Sequence, residues 1–159
     1  MPRTILLNNR LRSFESAAEE ESNILLSIRH LSAAENLRNS LWDRRESIEA
    51  VVRYHLGLRR DDVCTVLPAD SWIRGGFNLC VLVEVDSCGV AQRLVFRCPM
   101  PHKLAEHQYP GTIDEKVSCE VATYVWMQEY CADVRIPRLY AFGFNGGRHV
   151  RVFCSPLPS

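Results

Sequence analysis

Phe77-Asn-Leu-Cys-Val-Leu-Val-Glu-Val85 decides how this chain is read. Its odd positions, Phe77, Leu79, Val81, Val83 and Val85, are all apolar, while the even ones include Asn78 and Glu84. Side chains alternate between faces along a strand, so the pattern predicts a β-strand with one face buried. Ser87-Cys-Gly89 can turn the chain, and Ala91–Arg97 returns as the hairpin partner. Upstream, the period of two reaches back to residue 62, giving a first strand that meets the second at a Gly75-Gly76 bend.

Further upstream the period is helical. Ser32-Ala-Ala-Glu35 has the spacing of a capping box, and Leu37, Leu41, Ile48, Val52 and His55 follow on one face until Gly57 stops the run. One helix over 33–56 is expected. Residues 1–31 are polar around one apolar cluster, Ile24 to Leu26 with Ile28 and Leu31, and read as a helical or poorly ordered extension. Downstream, residues 98–112 carry Pro99, Pro101, Pro110 and Gly111 and form a long loop. Thr112-Ile-Asp-Glu115 is a second capping-box pattern, opening a helix over 113–131. Strands at Leu139–Phe144 and His149–Phe153 flank the turn residues Asn145-Gly146-Gly147. The expected fold is α+β: a five-stranded antiparallel sheet with a helix inserted between strands three and four, preceded by N-terminal helices.

Composition narrows the function classes. The chain has 159 residues, 47% of them apolar, enough for one domain with a real core, assigned to 32–159. Its 19 Lys+Arg cancel its 19 Asp+Glu, which argues against nucleic-acid binding by phosphate neutralisation. No apolar run is long enough to span a bilayer. The 7 cysteines are odd in number and irregularly spaced, without a C-x-x-C, so they read as free thiols of a cytoplasmic protein rather than a disulfide framework or a zinc site. Arg3, Arg10 and Arg12 faintly suggest a transit peptide, but Glu15 and Glu19 to Glu21 follow at once and a secretory apolar region is missing.

Three features carry chemistry. Glycines in Arg74-Gly-Gly-Phe-Asn78 let backbone N–H groups approach phosphate oxygens. Arg97 ends the third strand on the face opposite Leu94 and Phe96, where a guanidinium can serve phosphates. Glu120 lies on the shoulder of the Val117, Val121, Tyr124 and Gln128 stripe of the second helix, about 60° from its centre at about 100° per residue. A carboxylate beside a buried stripe needs a cation, and Arg97 on the neighbouring strand is the natural partner, within about 4 Å. On the back of that helix Trp126 sits with Cys119 and Ala122, a patch expected to be covered by the 33–56 helix.

Together these residues resemble the small, amino-terminal lobe of the protein-kinase-like fold, in particular the aminoglycoside phosphotransferase-like family. The resemblance covers about residues 36–154 and is most specific in Trp72–Val85, Leu94–Pro99 and Asp114–Phe144. It implies that Gly75, Gly76, Phe77 and Asn78 form the nucleotide-covering loop, that Arg97 takes the place of the strand-three Lys or Arg, and that Glu120 is its helix partner. ATP with Mg²⁺ is then the implied cofactor, weakly held or not held at all. The loop is not a full G-x-G-x-x-G, and Arg97 stands where protein kinases use Lys. Phosphoryl transfer also needs an aspartate to orient the acceptor and Asp and Asn to hold magnesium. The family carries these in a His-Gly-Asp-x-x-x-x-Asn loop and a later Asp; the 19 residues after Tyr140 contain no acid. The expectation is therefore a lobe without turnover of its own. Its implied partners are nucleotide, weakly, and another protein or a catalytic lobe. The alternative is a non-catalytic interaction module or a pseudokinase-like remnant.

Overall fold

The structure, a computed structural model, describes residues 4–7, 10–13, 16, 24–131 and 133–152. In chain order the elements are β1 (Ile5–Leu7), β2 (Arg10–Arg12), α1 (Ile24–Asp43), α2 (Arg45–Leu56), β3 (Val63–Val66), β4 (Ile73–Arg74), β5 (Asn78–Ser87), β6 (Val90–Pro99), α3 (Thr112–Tyr130), β7 (Ala141–Gly143) and β8 (His149–Arg151). The class is mixed α+β with antiparallel sheets. Within the 1–31 extension, β1 and β2 pair with each other and α1 starts at Ile24; residues 17–23 lie outside the described residues, as does Phe153 of the expected last strand.

Strand β5 is the centre. It pairs along its whole length with β6, from Asn78↔Pro99 to Ser87↔Val90, and on its other edge with β3 and β4. Since β6 occupies one edge completely, β3 and β4 share the other, as two halves of the expected first strand split by residues 67–72. The excursion is held by Trp72, whose buried indole N–H donates to the Leu67 carbonyl at 2.8 Å. Alternation in β5 is as read: Leu79, Val81, Val83 and Val85 are all buried, the three valines completely. Phe77 departs from it. It precedes the strand and is 55% exposed, because the chain is still turning out of the glycine bend.

The buried face of β5 continues across β6 through Phe96 opposite Val81 and Leu94 opposite Val83. Ala34 of α1 and Ile48 of α2 complete this core, with Leu37, Leu41, Trp42 and Val52 packed around it. Glu49 fixes α2 to the sheet by accepting from the Val66 N–H at 2.8 Å, and Arg38 of α1 donates to the Ala69 carbonyl at 2.6 Å.

Three sequence expectations are corrected here. The single 33–56 helix is two helices: Asp43 to Glu46 are all charged and bring no apolar side chain to the core, and the chain turns at Arg44 (φ −99°, ψ 15°). Ser32 is not a helix start, because the partly buried row Ile28, Leu31, Ala34, Leu37 and Leu41 runs through it; Glu35 pairs instead with Arg38, at 3.8 Å. The expected fourth and fifth strands, β7 and β8, form a sheet of their own rather than joining β5 and β6. Their hairpin sits between two helix ends. His149 meets the ring of His55 at 4.8 Å and that of Tyr54 at 5.6 Å at the end of α2, where Gly57 adopts the left-handed cap. At the start of α3, Asp114 accepts from the Asn145 N–H at 2.8 Å.

His55 is buried, and neither ring nitrogen has a hydrogen-bond partner. Burial, then the charges of His149 and Arg151, push its pKa below the usual 6.5. Below about pH 6.5 the unfolded chain takes up a proton that the folded chain refuses, so stability falls with pH until the depressed folded pKa is reached. Thermal melts should show a lower midpoint at about pH 5.5 than at about pH 7.5, and His55→Phe should flatten that dependence. In urea unfolding, Val83→Ala should cost about 2–3 kcal/mol through lost burial plus a cavity. Val121→Ala should cost less than about 1 kcal/mol, because Val121, expected on a core stripe, is only half-buried on a helix with no buried residue.

Candidate functional site

Residue parity on the sheet builds the site. Asn78 and Cys80 of β5 and Arg97 of β6 share the face opposite the core, with Arg97 directly across from Cys80 and diagonal to Asn78. Asn78 is buried, a position that requires its amide to be hydrogen-bonded. Helix α3 approaches this end of the sheet and supplies Lys116 and Glu120, one turn apart on the same side.

These four residues form one network. Arg97 Nη2 lies 3.4 Å from Glu120 Oε1, the contact expected from the sequence. Lys116 Nζ touches the same oxygen. With its side-chain oxygen turned toward the cations, Asn78 accepts from Arg97 Nη2 at 2.8 Å and from Lys116 Nζ at 3.3 Å. Two positive charges thus share one carboxylate and one amide oxygen, leaving a net positive charge. The guanidinium remains 40% exposed beside a cleft of about 360 Å³ lined by Glu120, Tyr124, Met127 and Ile136. An exposed guanidinium fixed by a neighbouring carboxylate and still holding unused N–H donors can receive an anionic group.

Lys116 was not among the residues the sequence singled out. Its signal is the four-residue spacing to Glu120, in the Lys-before-Glu order that is the weaker one on an isolated helix. Here the sheet corrects that weakness, because Asn78 gives the ammonium a second partner.

The helix start is built differently from the expected capping box. Gly111 in the left-handed region (φ 103°) precedes Thr112, and no side chain at that position caps the helix. Glu106, from the preceding loop, does the work. Its carboxylate accepts from the N–H groups of Gly111 and Ile113 and from the Thr112 hydroxyl, each at 2.8 Å. These bonds, the one from Gly111 foremost, hold the Glu106 carboxyl below its usual pKa.

The glycine bend does not join this network. Gly75 and Gly76 line a second cleft, with Arg74, His30 and His102, on the side of α1. Phe77 lies between the two, and only Asn78 of the four loop residues reaches Arg97. The physical cause is the tight link closing the bend: the Gly75 N–H donates to the Asn78 carbonyl at 2.9 Å, and the Met100 N–H donates to the Phe77 carbonyl at 2.8 Å. On α3, Trp126 is 57% exposed and its ring meets that of Tyr130, at 6.3 Å. The expectation that the 33–56 helix covers it is corrected: α1 and α2 are committed to the opposite face of the sheet.

Among the described residues, no three His, Cys, Asp or Glu side chains converge as metal ligands, and no helix is long and apolar enough to cross a membrane. Comparison with protein-family models, with curated proteins and with solved structures finds no match to this chain.

Glu120 compensates Lys116, whose side chain is only 16% exposed, as well as the wetter Arg97. Glu120→Gln should therefore cost about 1–2 kcal/mol, between the 0–1 of an exposed pair and the 3–5 of a broken buried one. Lys116→Met added to Glu120→Gln should recover part of the loss, since it removes the uncompensated ammonium. Urea unfolding of the two single variants and the double variant measures both effects.

Proposed function

We propose that residues 32–159 form the nucleotide-side lobe of a phosphotransferase-like protein, cytoplasmic and without turnover in this chain alone. The observation that carries the reading is the Arg97–Glu120 contact between β6 and the helix that follows it. In this reading Arg97 is the cation for the phosphates of ATP, Glu120 holds it in place, and Lys116 and Asn78 tune the pair. The Gly75–Phe77 bend bears on the nucleotide only through Asn78, since Gly75 and Gly76 line the α1-side cleft. Strands β7 and β8 are the fourth and fifth strands of a lobe whose full form is a five-stranded sheet with α3 inserted. Mg²⁺ would arrive with the nucleotide, since Asn78 and Glu120 are engaged by cations. The 159 residues contain no His-Gly-Asp sequence, so no aspartate of that kind is available to orient an acceptor hydroxyl.

A second reading, a non-catalytic interaction module, is favoured by one observation. Trp126, Tyr130 and Val134 are all at least half exposed on and just after α3. Large aromatic side chains on one surface are the usual anchors of a protein contact.

One titration separates the two readings. A single wall of a cleft buries little of a nucleotide, so ATP with Mg²⁺ should bind at about millimolar affinity, roughly −4 kcal/mol. Backbone resonances around Arg97 should move on titration, and Arg97→Ala should remove the effect. No phosphoryl transfer to hydroxyl acceptors should accompany binding. Silence at Arg97, together with Trp126 fluorescence that changes with protein concentration, would favour the interaction module. Transfer that needs Glu120 would overturn the view of a lobe inactive alone.

A further inference from the structure

The cleft on the α1 side has its own chemistry, independent of the nucleotide reading. It encloses about 240 Å³ between α1, the β4–β5 bend and the short 3₁₀ turn Pro101–Lys103. His30 reaches it from α1, Arg74 from β4, and His102 and Lys103 from the 3₁₀ turn. The two imidazole rings are 5.3 Å apart and inclined at 50°. Nε2 of His102 is buried and has no hydrogen-bond partner. A buried ring nitrogen without a partner costs free energy that a ligand atom can recover.

The charges around it have one sign. Arg74 and Lys103 are permanent cations, His30 and His102 can become so, and among the described residues no carboxylate or thiolate lines the cleft. That rules against a metal ion: two imidazoles could ligate one, but a guanidinium and an ammonium beside them repel it, and no acidic ligand completes the set. An oxyanion has the opposite preference. It accepts from Arg and Lys, and it favours the protonated form of each histidine, in which both ring nitrogens donate and the ring carries a positive charge.

We propose that the His30–Arg74–His102–Lys103 cleft binds a phosphate-class dianion, either free or as the head of a phosphate ester. Burial and the mutual repulsion of these groups push the pKa values of His30 and His102 down, with Lys103 acting on both and Arg74 on His102. A hydrogen bond with the backbone of His102 opposes this at His30. A bound dianion reverses the repulsion. Each histidine then holds its proton to higher pH, and by linkage affinity rises as pH falls through the histidine range.

The test uses the whole chain and the histidine ring signals in NMR titrations at constant ionic strength. Sulfate is the first probe, because it keeps both charges throughout the range. The His30 and His102 signals should move together and saturate, with sulfate affinity at least about fivefold higher near pH 6 than near pH 7.5. Arg74→Ser, at an exposed position, should weaken binding at least about fivefold through loss of one charge-assisted contact. His102→Gln should do the same, and Arg135→Ser, exposed and outside the cleft, should change nothing. Inorganic phosphate and glycerol phosphate form the second pair of probes. Tighter binding of the ester identifies the head of a larger molecule, and equal or tighter binding of inorganic phosphate identifies the free anion. Histidine signals that stay fixed up to about 50 mM sulfate, or that move equally in the wild type and Arg74→Ser, overturn the proposal; the lower limit corresponds to affinity weaker than about −2 kcal/mol.

Discussion

A strand paired on both edges and dry on one face leaves its neighbours little choice. Every second residue of β5 from Leu79 to Val85 is buried, and its ten residues are all paired with β6. Sliding β6 by one residue would turn Leu94 and Phe96 out of the core, and sliding β5 would do the same to Val81, Val83 and Val85 while bringing Glu84 in. The register of β6 is therefore fixed, and with it the placement of Arg97 opposite Cys80. The turn that sets this register is strained: Cys88 has φ 54°, a region that favours glycine, beside Gly89 at φ 77°. Nearby, Asp62 accepts from the Arg59 N–H at 2.6 Å, the main cause holding its carboxyl below the usual pKa, with Ser87 and the Cys88 backbone adding to it.

The dry face also divides the molecule. Helices α1 and α2 cover it, so the other face keeps Arg93, Val95 and Arg97 exposed. Helix α3 meets that second face only at one end and buries none of its residues. What positions it is polar: Glu106 at its start, Asp114 holding the Asn145 turn, and Lys116 and Glu120 on Asn78 and Arg97. Bonds of this kind are directional but open to water and salt, unlike the burial that fixes α1 and α2. The site thus sits where the fold is held by geometry of charges rather than by packing. That is the arrangement in which a bound anion can compete for the same cations.

Legibility in the sequence followed the same division. The alternation in β5, the return of β6 and the Asn145–Gly147 turn rest on local periodicity and turn chemistry, and all are visible in consecutive residues. The Arg97–Glu120 contact was legible because strand parity and helical angle each place one partner independently. The break at Arg44 was not, since the apolar spacing from Leu41 to Ile48 is two helical turns and tolerates either a straight helix or a bend. Helix capping by Glu106 was hidden because it comes from a loop whose path no local pattern specifies. Trp126 illustrates a different limit: helical angle gives the back of α3, but only the tertiary arrangement says that nothing among the described residues covers it.

The glycine bend was legible as a bend but not in direction. Two glycines permit close backbone approach, but they do not say from which side. Direction comes from the bonds that close the bend on Asn78 and Met100, which turn Gly75 and Gly76 toward α1 and leave the Asn78 side chain on the Arg97 face. Within five consecutive residues, Arg74, Gly75 and Gly76 thus line the α1-side cleft while Asn78 reaches the Arg97 network. A Cβ on Gly76 would meet nothing within 4 Å, so space alone does not demand glycine there. At Gly75 a Cβ would come to 3.4 Å from the Asn78 carbonyl, the acceptor of the bond that closes the bend. Substitution at Gly75 presses on the backbone of the residue that holds Lys116 and Arg97, whereas substitution at Gly76 only narrows the α1-side cleft. Steric demand thus separates two neighbouring glycines that the sequence presents as equivalent.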